Sequence, residues 1–407
     1  MSNKEKTLLV PKLRFPEFRD AAAWQNKELG SVCEILNNRR RPITGSDREP
    51  GPYPYYGASG IVDFVKEFIF DERLLLVGED GAKWNAFEKT AFIVEGKYWV
   101  NNHAHVLKPI AIRDTLLENY LTMVDLGPFV TGAAPPKLTL GKLKSIPVPV
   151  PPSTFEQQKI ADCLSSLDEL IAAQARKVDT LKTHKKGLMQ QLFPREGETQ
   201  PRLRFPEFWD AGDWQENTLD EIATFRRGSF PQPYGLPEWY DEQNGMPFIQ
   251  VFDVGGDFRL KDKTKSRISK LGAEKSVFIP EGTLIVTLQG SIGRVAITHY
   301  DAYIDRTLLI FESFQKPIEK VFFARVIQNL FDIEKEKAPG GIIKTITKES
   351  LSDFKVKYSA VEEQQRIADC LTSLDTLVTA ATQELEGLKT HKKGLMQQLF
   401  PSVEEGN

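Results

Sequence analysis

Arginine, asparagine, glutamine and lysine side chains carried on loops can clasp phosphate oxygens or pair with the edges of bases, and this sequence of 407 residues groups such side chains in several places. Arg39, Arg40 and Arg41 precede a Pro- and Tyr-rich loop, Pro50 to Ser59, and Arg226 and Arg227 occupy a comparable place in the second half. Arginine can grip phosphate or bridge guanine O6 and N7; a solvated charge run is the bland alternative. Asn101, Asn102, His103 and His105 stand where a later, partly matching stretch has Asp305, Arg306, Thr307 and Leu309. Asparagine can pair bidentately with adenine, yet alternation along a strand would turn half of these residues into a core. Gln250, Gln289 and the loops around Lys137 and Lys344 offer further groups of the same kind.

Other chemistries find less support. Glu95-Gly96-Lys97 with Asp80 upstream has the outline of half a metal-dependent nuclease motif, but the second half of the chain has no counterpart. His103 and His105 lack the Cys or carboxylate neighbours that a zinc site needs, so no metal is expected. Gly290 and Gly293 in QGSIG fall short of a dinucleotide fingerprint, and neither a GxxxxGK[ST] phosphate loop nor an Asn/Asp-Pro-Pro-aromatic run occurs. The three cysteines, Cys33, Cys163 and Cys370, show no ligand spacing and read as reduced, packed thiols. The formal net charge is −3, so any surface for nucleic acid must be local. Neither a charge-led signal peptide nor an apolar run of about 18 residues is present, which points to the cytoplasm and to no membrane partner.

What must position these loops is written twice. Glu156 to Pro194 (EQQKIADCLSSLDELIAAQARKVDTLKTHKKGLMQQLFP) returns, 207 residues on, as Glu363 to Pro401. Pro11 to Val32 (PKLRFPEFRDAAAWQNKELGSV) returns 190 residues on as Pro201 to Ile222. The repeating unit is therefore a marker, a globular segment and a long helix. In the first helix Ile160, Leu164, Leu167, Ile171, Val178, Leu181, Leu188 and Leu192 fall at alternating steps of four and three, with Gln174 and Lys185 filling the seam. The second gives Ile367, Leu371, Leu374, Val378, Ala381, Leu385, Leu388, Leu395 and Leu399, with Lys392 matching Lys185. So narrow a stripe over roughly 58 Å predicts a coiled coil, most simply of one copy with the other. Ser153 before Glu156 and Ser359 before Glu362 fit capping boxes. The ends of the two copies are nearly identical while their middles differ, which suggests that the ends touch something that exists twice; a recent duplication still drifting is the alternative.

Between marker and helix, short apolar runs (Gly60 to Val65, Leu74 to Val77, Ala91 to Val94; then Phe248 to Phe252, Thr283 to Thr287, Arg294 to Thr298) alternate with Gly, Pro and Asp turns. They read as strand-rich segments with some helix. LLLVGEDGA (Leu74 to Ala82) lies over TLIVTLQGS (Thr283 to Ser291); elsewhere the two segments share almost nothing. A duplicated enzyme would keep the same polar residues twice, whereas two related frames with unlike faces suit two different ligands.

The ordered set LRFPEF, YPYYGASGIVDFV, LLLVGEDGA, WVNNHAHVLKP, PPKLTLGKLKSIPVPVPP, EQQKIA and LKTHKKGLMQQLFP, repeated by the late half, resembles the DNA-specificity (S) subunit of a type I restriction-modification enzyme, from Pro11 to Pro401. The resemblance implies two target recognition domains, each reading half of a split double-stranded DNA site, and two conserved helices that hold two modification (methyltransferase) subunits. Restriction subunits would join through the complex. S-adenosylmethionine, ATP and Mg would then belong to those partners, with no cofactor in this chain. The expected fold is α+β: two strand-rich recognition domains joined by two long antiparallel helices forming a coiled coil, with an internal pseudo-two-fold repeat. Its divisions are residues 1–152, the helix region 153–194, residues 195–358, the helix region 359–401 and a tail, 402–407. Off the seam, Gln157, Gln158, Asp162, Lys182, Lys186 and Gln190, with Gln364, Gln365, Asp369, Lys389, Lys393 and Gln397, are the candidate contacts for modification subunits; bridging between the helices is the alternative. A protein-only coiled-coil adaptor and a catalytic nuclease or methyltransferase are the competing readings of the whole chain.

Overall fold

The four-and-three spacing yields two helices of 39 residues each, Thr154–Leu192 and Val361–Leu399. The computed structural model describes residues 9–256, 258–337 and 351–402. Its contacts group the chain into two units that cut across both helices: Met1–Lys177 with Ala381–Asn407, and Val178–Ala380. Each unit thus contains the start of one long helix and the end of the other.

In the first unit, an antiparallel sheet runs in the order Cys33–Ile35, Ala104–Pro109, Leu74–Gly78, Ala91–Val94. A second sheet is ordered Gly60–Val65, Pro50–Gly57, Lys97–Val100, Phe70–Asp71, and its two central strands are parallel. Gln25–Glu28 pairs with Pro147–Val150 beside them. The strand Leu74–Gly78 is wholly buried, as its unbroken apolar run requires. Pro50–Gly57, which reads as a loop in the sequence, is instead a strand. Its prolines can donate no ladder bond, and the residues paired on both sides, Tyr55 and Tyr56, are free of proline. The main core gathers Trp24, Leu75, Leu107, Leu117 and Tyr120 around Ile160 and Leu164 of one helix and Met396, Leu399 and Phe400 at the end of the other. Gln174 donates to the carbonyl of Ala381 at 2.9 Å and Lys392 reaches Asp168 at 2.6 Å, so the two helical stretches run antiparallel here.

The second unit repeats this plan strand for strand. One sheet is ordered Ala223–Arg227, Leu308–Phe314, Leu284–Thr287, Val295–Ile297; the other Ser266–Ile268, Met246–Ile249, Ala302–Ile304, Val277–Ile279, again with a parallel central pair. Gln215–Thr218 pairs with Lys355–Tyr358. Its core sets Leu192, Ile367, Ala368 and Leu371 against Trp214, Phe311, Phe322 and Phe323, and Lys185 pairs with Asp375. Two topologically identical units have therefore grown from segments whose sequences coincide only in the middle. Every position assigned to the helix seam, among them Leu167, Ile171, Leu181, Leu188, Leu374, Val378, Leu388 and Leu395, is buried or half-buried.

Candidate nucleic-acid interface

The repeated motifs dock one upon another inside each unit. Arg14 of the first LRFPEF donates to both carboxylate oxygens of Glu156, at 2.7 and 2.8 Å, and to the carbonyls of Ala21 and Ala22. Arg204 of the second grips Glu363 in the same bidentate way, at 2.8 and 2.8 Å. Phe400 meets Trp24 edge to face with ring centres 6.3 Å apart; Phe193 meets Trp214 at 6.2 Å. Gln157 accepts from the backbone N–H of Arg113 and donates to Pro151, while Gln364 accepts from Glu319 and donates to Ser359. Part of what exists twice, and holds the helix ends alike, is thus the unit's own marker and loops. Glu156 serves the buried clamp and not a reciprocal capping box, although Ser153 Oγ accepts from its N–H.

On these frames sits an equivalent tip. The N–H of Glu79 donates to the carbonyl of His103 at 2.8 Å, and that of Leu288 to Thr307 at 2.8 Å. Asn101 Oδ1 accepts from the N–H of His103, and Asp305 Oδ1 from that of Thr307, both at 2.8 Å. Gly81 (φ 68°) and Gly290 (φ 64°) bend the facing loops through the left-handed region that favours glycine. Asn101 is therefore an internal turn-former, 5% exposed, and not a base contact, while Asn102, His103 and Arg306 are exposed.

Several other arginines and glutamines are committed inside the protein. Arg40 donates to Glu79 at 2.5 Å and to the carbonyls of Asn37, Asn102 and Ala104, so it buttresses the tip. Burial pulls the Glu79 pKa upward, but the hydrogen bonds from Arg40 and Lys137 outweigh it and hold the carboxyl below its ordinary value. Lys137 lies 2.9 Å from Glu79 and 3.8 Å from Asp80, whose carboxylate bonds His103. His105 is fully buried: its Nε2 donates to Leu138 and its Nδ1 accepts from Asn37, and burial lowers its pKa. Gln250 is buried, with Asp253 bonded to its backbone N–H, which removes it from the surface set. Arg39 pairs with Glu72 at 2.6 Å over the Phe70 ring, and Arg226 pairs with Glu312 at 2.6 Å. Arg41, Arg227 and Gln289 are exposed; Lys344 lies outside the described residues. Glu95 and Asp80 take different partners, Arg73 and His103, so the apparent nuclease half-motif is not assembled.

A family model described as the type I restriction modification DNA specificity domain matches residues 22–183 and again 211–390. The chain belongs to this family. It is a specificity subunit with two recognition domains, the DNA-recognition and not the catalytic member of such a system. A Haemophilus influenzae chain assigned as the type I restriction enzyme specificity subunit S.HindORF215P is 26% identical over 364 residues, covering 88% of this chain and 89% of the relative. The type I restriction enzyme MjaVIII specificity subunit of Methanocaldococcus jannaschii is 22% identical over 421 residues, covering 95% and 93%. The crystal structure of the S subunit of a type I restriction-modification system from M. genitalium shares the fold, with a TM-score of 0.61, 15% identity and coverage of 97% and 100%.

On the helices of this specificity subunit the candidate partner residues separate into two groups. Gln157 and Gln364 are buried and hold their own units together, so they are withdrawn as partner contacts. Lys182, Lys186, Gln190, Asp162, Gln365, Asp369, Lys389, Lys393 and Gln397 are exposed and Gln158 is half-exposed. Gln158 bonds Asp162 at 2.6 Å and Gln365 bonds Asp369 at 2.9 Å, one helical turn apart on equivalent faces. No described helix is long and apolar enough to cross a membrane. The docking of marker on helix was missed in the sequence; its signal was an arginine in each LRFPEF and a glutamate at each helix start, opposite charges retained at two repeated places.

Proposed function

We propose that this specificity subunit reads a gapped, asymmetric site in double-stranded DNA, one half through residues 1–152 and the other through residues 195–358. The observation that carries this reading is the pair of equivalently bonded tips with unlike side chains: Asp80, Asn102 and His103 on one, Gln289, Arg306 and Thr307 on the other. Equal frames with unequal faces suit two different half-sites and argue against a palindromic target, since different donors and acceptors select different bases. Residues 153–194 and 359–401 then hold two methyltransferase subunits on their exposed, duplicated polar faces, and restriction subunits join through that complex. S-adenosylmethionine, ATP and Mg belong to those partners, and the assembly works in the cytoplasm. The test is mapping of methylated bases in DNA from cells that carry the modification subunit with and without this chain. A two-part gapped motif should appear only with it, and exchange of residues 24–152 should change one half alone. Methylation that is identical without the chain, or a single continuous motif, refutes the reading.

A further inference from the structure

Within the tips, the sheet register points to one pair of residues just past the ladder in each unit. Gly78 pairs with Ala104 in the first unit and Thr287 with Leu308 in the second. Continued two residues beyond these last paired positions, the antiparallel register sets Asp80 across from Asn102 and Gln289 across from Arg306. The cross-strand bonds from Glu79 to His103 and from Leu288 to Thr307 fix the step between. Both pairs stand outside the buried strands, and both frames are held from behind, by Arg40 bonding the Asn102 carbonyl in the first and by Asp305 bonding Thr307 in the second. In the second unit the Arg306 guanidinium also lies 5.8 Å from the ring of Tyr234, itself 55% exposed, which aims the side chain without consuming its donors.

We infer that these opposed pairs are the specificity-determining residues: Gln289 and Arg306 for one half-site, Asp80 and Asn102 for the other. This rests on the DNA-reading function proposed above. A guanidinium fork beside a primary amide presents the donors that match guanine O6 and N7 next to the donor-acceptor pair that matches adenine N6 and N7. A carboxylate beside an amide presents an acceptor for cytosine N4 next to the same adenine code. The half-site read by the second unit therefore contains guanine at the Arg306 position, and that read by the first contains cytosine at the Asp80 position. Asp80 bonds His103 through one oxygen and has Lys137 3.8 Å from the other, with 19% of its side chain exposed, so its remaining lone pairs are oriented before DNA arrives.

The experiment compares methylated-base maps for the full chain and its Arg306→Lys, Arg306→Ala and Asp80→Asn variants, each co-expressed with the modification subunit. Lysine keeps the charge that a phosphate would feel and loses the bidentate fork. Arg306→Lys should relax one guanine position in one half of the motif, with discrimination there falling roughly 5- to 150-fold, while the other half is unchanged. Asp80→Asn should do the same in the other half alone. Joint replacement of Gln289→Asp and Arg306→Asn should move the base preference of the second unit towards that of the first. Methylation that falls evenly across all sites with every position intact would mean a phosphate contact and overturns the assignment, as would an unaltered map. Loss of any dependence on the wild-type chain would instead refute the DNA-reading function itself.

Discussion

The Arg–Glu clamps allow a quantitative test, because the two units hold them in almost the same geometry with one difference. Glu156 has no exposed side-chain surface and Arg14 only 5%. Glu156→Ala leaves the guanidinium buried, still bonded to two carbonyls, which puts the loss at the low end of the range for breaking a buried pair, about 3 kcal/mol. It also strands the indole N–H of Trp24, which donates to the same carboxylate at 3.1 Å, adding about 1–3 kcal/mol. In the second unit Trp214 Nε1 has no partner to lose, so Glu363→Ala should cost only the first contribution. For units of about 200 residues these losses lower the midpoint by roughly 8–24 °C and 6–12 °C respectively. Calorimetry or urea titration of the full chain, followed by tryptophan fluorescence, reads both. Replacing both partners, Arg14→Met with Glu156→Met, should recover about 3 kcal/mol, since an apolar pair of similar volume carries no stranded charge, and leave only the loss of the Trp24 bond. Equal losses in the two units, a loss under about 1 kcal/mol, or a double variant worse than the single would refute the reasoning.

A second buried arginine separates the units further. Arg325 is 3% exposed, bonds Asp375, which also receives Lys185, and leaves Nε and Nη1 unpartnered over the Phe258 ring. Asp375→Ala should therefore cost about 3–5 kcal/mol, whereas Asp168→Ala, at the equivalent half-exposed pair with Lys392, should cost less than about 1 kcal/mol; urea midpoints of the two variants decide it. His105 supplies a pH dependence. Burial depresses its pKa below 6.5 in the folded chain, so the unfolded chain takes up a proton near pH 6.5 that the folded chain refuses. Its stabilising contribution is complete above that pH and is lost as the pH falls through the lowered value. The urea midpoint of the first unit should drop between pH 7.5 and 5.5, and His105→Gln should flatten that drop.

The long helices were legible because a seam of period three and four leaves little else for Ile160, Leu164, Ile367 and Leu371 to do. The strand Leu74–Gly78 was legible because an apolar run between turn residues has few other fates. The proline-bearing strand was not, since its prolines argue locally against a ladder, although it pairs with Gly60–Val65 next to it and, through Tyr55 and Tyr56, with Lys97–Val100. Among polar residues, type and spacing could not tell a surface group from a buried one. Gln157 and Gln364 look like any helix-surface glutamine, and their burial is explained by the N–H groups of Arg113 and Glu319 and the carbonyls of Pro151 and Ser359. Arg40 and Arg41 are adjacent and chemically identical, yet a carboxylate brought in by strand pairing claims one and leaves the other exposed. Asn102 and Arg306 stand at matched positions that the sequence displays; that Asp80 lies near Asn102 follows only from the register.

That the first unit is completed by residues 381–402 has a consequence for how the chain is made and how it is damaged. The ribosome must pass residue 400 before Met396, Leu399 and Phe400 can enter a core otherwise built from residues ahead of position 178. The second unit draws only on residues 178–380 and is available sooner. A stop codon or frameshift at residue 390, say, therefore injures the unit that begins first and leaves residues 178–380 their full complement.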